Sequence, residues 1–92
     1  MAEDEHQISE EELRKALEQI KVADVIVQTI STLASLTLHR LDAKELEQAR
    51  LGIEAVRALV PLVESHVPGE LHGQLEDLLA QLQLAYANAA AG

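Results

Sequence analysis

Apolar positions in this chain recur at steps of three and four along most of its length. Leu13, Ala16, Leu17 and Ile20 share one face and predict an amphipathic helix over about residues 10–21. Ser9 with Glu12 fits a capping box at its start, and Ile8 with Leu13 fills the two hydrophobic-staple positions. Val22, Ile26, Ile30 and Leu33 continue a helical repeat, and the polar residues Asp24, Gln28, Ser31 and Ser35 step by four, three and four. Val25, Ile26, Val27, Thr29, Ile30 and Thr32 would suit a strand by propensity. The period and the absence of Gly or Pro select a helix over 22–40 instead. Its apolar arc is rotated from that of the first helix by roughly a third of a turn. Either the chain breaks near Lys21 to Asp24, with Asp24 as a cap, or one long helix meets different neighbours along its length.

A second capping box reads at Asp42 and Glu45, with Leu41 and Leu46 as its staple. Leu46, Ala49, Ile53, Val56, Val60 and Val63 then form a packing seam over a helix expected at 43–66. Leu51, Ala55, Ala58 and Leu62 form a second apolar row, which predicts a central helix with neighbours on two sides. Pro61 lies inside the repeat and is expected to kink the helix without stopping it. Pro68-Gly69 ends the segment. Leu71, Leu75, Leu78, Leu82, Ala85 and Ala89 predict a last helix over 70–88, with Leu79 and Tyr86 beside the row and 89–92 as a frayed tail. Short links between helices imply antiparallel neighbours. The expected fold is all-α: one domain over 10–88, a small bundle of three to four mainly antiparallel helices completed by self-association, behind an acidic arm at 1–9.

Composition narrows the functions open to such a bundle. At 92 residues the chain holds one domain and buries only about 60–65% of its unfolded surface. It has no cysteine, which excludes disulfides, thiolate metal sites and a cysteine nucleophile. Tyr86 is the lone aromatic, so there is no stacking platform for single-stranded nucleic acid. A net charge of −9 opposes phosphate backbones and anionic lipid. Residues 1–12 hold six acids and no base, 13–57 all seven bases against six acids, and 58–92 four acids and no base. The acidic start reads as a solvated arm and a favourable helix beginning. It lacks the basic-then-apolar order of a secretory signal, and the uncharged run from Val25 to Leu38 is short for a membrane span. The expected setting is cytoplasmic, with neither nucleic acid nor membrane as partner.

No constellation of chemistry emerges, and neither a cofactor nor an enzymatic activity is expected. His72 and Glu76 stand one turn apart but lack the third ligand that zinc requires, so His66 and His72 read as solvated turn residues. His39 and Arg40 suit a helix C-terminus. Ser31 and Ser35 sit in no nucleophile elbow. Arg50 and Arg57 are expected to pair with Glu47 or Glu54, and Tyr86 to lie at the core edge. The informative feature is the uncharged run itself. Exposed helix faces normally carry Lys or Glu, whereas here Gln28, Ser31, Thr32 and Ser35 stand in their place. A second copy packed on that face, a dimer first of all, accounts for the choice, and a charge at Ser31 should then weaken association or stability.

The segment Leu46-Glu47-Gln48-Ala49-Arg50, with Ile53, Leu59, Gly69 and the closing Leu82-Gln83-Leu84-Ala85-Tyr86, resembles a bacterial family catalogued as domain of unknown function 1844. The resemblance spans about residues 22–88. Many members carry a longer glycine-containing link before the helix that begins at Leu46, where this chain has only Arg40-Leu41-Asp42-Ala43. It implies a small helical protein without assigned activity, in some cases encoded near translation genes, and it transfers no functional residue. The expected function is a non-catalytic, self-associating helical module that binds another protein. The alternative is a bundle that encloses a small apolar ligand or lipid.

Overall fold

The structure, a computed structural model, describes residues 9–92. Ile8, and with it the proposed staple, lies outside the described residues, as does the acidic arm up to that point. The fold is all-α. Four helices follow one another: α1 (Glu10–Gln19), α2 (Val22–Asp42), α3 (Leu46–Leu59) and α4 (Gly69–Ala91), with a single 3₁₀ turn at Val60–Val63 between the last two.

Each boundary has a local cause. The Glu12 amide donates to Ser9 Oγ at 3.1 Å, which caps α1 as its sequence predicts. Ile20 and Lys21 are both extended and separate α1 from α2, so residues 10–42 form two helices. Asp24 is not the cap of α2: Lys21 holds that position, and its carbonyl accepts from the amides of Asp24 and Val25.

The second capping box is not formed. Asp42 is the last residue of α2, and α3 begins at Leu46 with no side-chain cap. The intervening residues build a C-terminal cap for α2 instead. Lys44 is left-handed at φ 64°, its amide donates to Leu41 O, and the Glu45 amide reaches back to Arg40 O at 2.9 Å. That pair of bonds is a Schellman motif, in which an apolar contact usually joins the two ends. Here Arg40 and Glu45 supply an ion pair at 2.9 Å in its place.

Pro61 changes the geometry more than a kink would. It has no amide proton for the α-helical ladder, and α3 ends at Leu59. The chain continues as the 3₁₀ turn, in which side chains three apart are eclipsed. Val60 and Val63 therefore both stay buried. At the other end of the chain, α4 is assigned to Ala91, beyond the end at 88 that the sequence suggests.

The core is one cluster: Ile30 and Ala34 of α2, Ile53 and Val56 of α3, Val60 and Val63 of the 3₁₀ turn, Leu75 and Leu82 of α4. Complete burial of side chains of this size is worth about 1.5–3 kcal/mol each. The expected seam of α3 faces inward as its spacing demands. Its second row does not: Leu51 and Leu62 are 65% and 61% exposed. Helix α3 is therefore not central. It has α2 and α4 on one side and solvent on the other.

Candidate functional site

The open side of α3 continues onto α2. The two helices run antiparallel through the short Ala43–Glu45 link, and the groove between them is uncovered on the side away from α4. At the end near that link it is lined by Leu33, Leu36, Thr37 and Arg40 of α2 against Gln48, Leu51, Gly52 and Ala55 of α3. At the far end Val22 and Ile26 meet Leu62 and Val63, bordered by Lys21 and His66. Val22, Val25, Leu36, Leu51 and Leu62 are each between 47% and 74% exposed. Such a run of exposed aliphatic side chains along two neighbouring helices exceeds the scattered apolar residues of an ordinary surface.

At the end near the link α2 and α3 approach closely. Gly52 has no side chain, and a Cβ there would overlap Thr37 Oγ1. Thr37 is the one buried polar residue among those described.

Charge is distributed unevenly around the groove. Lys21 and Arg40 line its two ends, and no carboxylate lines either one. In a chain of net charge −9 the lining itself is therefore free of acid. Arg40 shares its guanidinium with Glu45, at the surface.

Helix α1 is the second unpartnered element. Among the described residues it packs against no other helix, and Leu13, Leu17 and Ile20 are about half exposed. Its polar side is internally paired, Lys15 with Glu11 at 3.7 Å and Arg14 with Glu18 at 4.0 Å. Its first turn carries Glu10, Glu11 and Glu12.

The four residues singled out as a self-association face, Gln28, Ser31, Thr32 and Ser35, are all exposed on α2. At about 3.6 residues per turn they share one side of the helix, and their surroundings differ. Ser31 turns toward α4 and shares a shallow groove with Leu71, Leu75 and Leu78. Gln28, Thr32 and Ser35 line neither groove. The larger apolar surface beside them was present in the sequence as the second row of α3, read there as a buried face.

Length and composition also make α2 the one helix among the described residues that could cross a membrane. It has 21 residues, mean hydropathy 1.3 in its most apolar window, and 17% of that window buried. This low burial restates the same point: α2 exposes much of its apolar surface.

The remaining candidates are dispersed. His66 is exposed, but His72 is not the solvated turn residue expected. Its side chain is 13% exposed, Nδ1 lies 3.6 Å from Glu76 Oε1, and Nε2 is buried without a partner among the described residues. No group of three metal-ligating side chains occurs among the described residues. His39 and Arg40 lie in the last turn of α2. Arg57 pairs with Glu54 at 3.9 Å on the surface of α3, while Arg50 borders Tyr86, which packs against the core. Ser31 and Ser35 hydrogen-bond no histidine or carboxylate among the described residues. Comparison with family models, with curated proteins and with solved structures finds no match.

Proposed function

We propose that the protein is a non-catalytic helical module that self-associates, a dimer being the simplest assembly, and that works by binding protein surfaces. One observation carries the reading: the uncovered α2–α3 groove, with Val22, Leu36, Leu51 and Leu62 in water. The chain is also spread thin. Its accessible surface is 6951 Å², against about 5,200 Å² for a compact monomer of this mass. Its radius of gyration is 17.4 Å, where a compact domain of this length has about 12 Å. The excess area is about twice the roughly 800 Å² that a stable dimer removes from each subunit, so the surface is ample for one. The Gln, Ser and Thr side chains interspersed along α2, with the overall acidity, favour a protein surface over a lipid one as the cover.

A native mass spectrum with sedimentation velocity tests this. The expected species is two subunits with no adduct. A bare single subunit across the micromolar range removes the proposal. A single subunit carrying a co-purified small molecule replaces it with an apolar-ligand carrier.

A further inference from the structure

We infer that α1 is an exchange arm: in the dimer it lies in the α2–α3 groove of the second copy, and the partner's arm lies reciprocally in its own. The inference rests on the self-association reading and specifies which surfaces meet. Three observations lead to it.

The first concerns α1 alone. Isolated helices shorter than about 12–15 residues are marginal in water. Helix α1 has ten residues, and its apolar row Leu13, Leu17 and Ile20 touches no other helix among the described residues. A well-capped amphipathic helix of that length gains its stability from a surface on which to lay that row.

The second is complementarity of charge. The groove has an aliphatic floor, Leu33, Leu36, Leu51 and Ala55 near the link and Val22, Ile26 and Leu62 at the far end, with Lys21 and His66 at one end, Arg40 beside its partner Glu45 at the other, and no carboxylate in the lining itself. The arm presents an aliphatic row that begins beside Glu10 and Glu12, while Glu11 turns to Lys15 on the far side. Its own bases, Arg14 and Lys15, are already paired on the opposite side of the helix. Both halves of the match belong to this chain, and they make the occupant a second copy.

The third is reach. At 1.5 Å per residue α1 is about 15 Å long. Folded back on its own α2 through the two-residue link Ile20–Lys21, it would cover α2 only to about residue 31. Leu33, Leu36, Leu51 and Ala55 would stay open, and the acidic first turn would stop about 14 Å short of Arg40. An arm from a second copy has no such tether. It can place its acids at Arg40 and its leucines over Leu36 and Leu51. The geometry is isologous: the same two surfaces meet twice about a two-fold axis.

Mixed-isotope photo-cross-linking decides the matter. A benzophenone amino acid replaces Leu17 in full-length protein, and equal amounts of light and heavy-nitrogen chains are mixed before irradiation. The expected products join position 17 to groove residues between Leu33 and Ala55 in light–heavy pairs. In parallel, Leu17→Glu should raise the dimer dissociation constant at least tenfold, while the released subunit keeps a cooperative urea transition from its α2–α4 core. Cross-links confined to light–light and heavy–heavy pairs place the arm in cis and overturn the inference. A dimer that persists in Leu17→Glu, with no groove cross-link, overturns the exchange arm and leaves self-association standing. A wild-type monomer removes both.

Discussion

Gly52 of α3 lies directly against Thr37 of α2, so closely that a methyl group on Gly52 would overlap the threonine hydroxyl. Glycine inside a helix costs about 0.5–1 kcal/mol relative to alanine. The chain carries that cost to let two helices approach where Thr37 is only 2% exposed. Gly52→Ala should therefore lower stability, because crowding of about 1–3 kcal/mol outweighs the propensity gain. Thr37→Ala in the same chain removes the overlapping oxygen and should restore most of the loss. Urea denaturation of the two single variants and the double variant measures the coupling. Additive effects would mean that the helices are not held at this distance.

Lys44 carries a different backbone cost. Its φ of 64° is left-handed, a conformation that costs an L-residue about 1–2 kcal/mol and that glycine adopts freely. The position is the one where helix caps of this kind most often hold glycine. Lys44→Gly should stabilise the protein by about 0.5–1 kcal/mol after the extra freedom of glycine in the unfolded chain is subtracted. Lys44→Val should destabilise it by at least as much. Thermal denaturation of both variants checks the pair, and a loss of stability in Lys44→Gly would contradict the geometry.

That same turn shows where the sequence could be read and where it could not. Asp42 and Glu45 have the spacing of a capping box, and the spacing is all a single sequence offers there. The competing Schellman cap was disguised, because lysine stands where glycine announces it and the Arg40–Glu45 ion pair replaces the usual apolar contact. The inward seam Ala49, Ile53, Val56, Val60 and Val63 was legible, since its three-and-four spacing holds even through the 3₁₀ turn. The row Leu51, Ala55, Ala58 and Leu62 was equally visible. Its periodicity says that a face is apolar, and only the packing of α4 on the other side shows that nothing within the subunit covers it. Two residues both read as polar and outward, Ser31 and Thr32, separate for the same reason: one adjoins α4 and the other does not.

His72 places one nitrogen where it has no partner among the described residues. Nε2 is buried and unbonded, while Nδ1 faces Glu76, whose own side chain is 64% exposed. A buried polar atom without a hydrogen bond costs about 1–3 kcal/mol, and a largely solvated pair returns little of it. His72→Leu should be neutral or stabilising by about 1 kcal/mol. His66→Leu, at an exposed site, should change stability by no more than about 0.5 kcal/mol. Urea midpoints of the two variants give the comparison. A marked destabilisation of His72→Leu would show that the imidazole makes an interaction on which the turn after Val63 depends.

Charge inserted around α2 and α3 should map the covered surface. Leu51 is 65% exposed in the subunit, so Leu51→Glu has little packing to lose within it. If the open groove is the contact, that carboxylate is desolvated against apolar side chains in the dimer, and the variant should sediment as a single subunit whose urea midpoint falls only by the dimer's contribution. Thr32→Arg, on the outer edge of α2, should weaken association less. Ser31→Arg, beside Leu71 and Leu78 of α4, should affect it least, although all four polar residues of that run are exposed. The order of the three dissociation constants, measured by sedimentation equilibrium, locates the interface. The reverse order, with Ser31→Arg the most disruptive, would move it from the α2–α3 groove to the α2–α4 side.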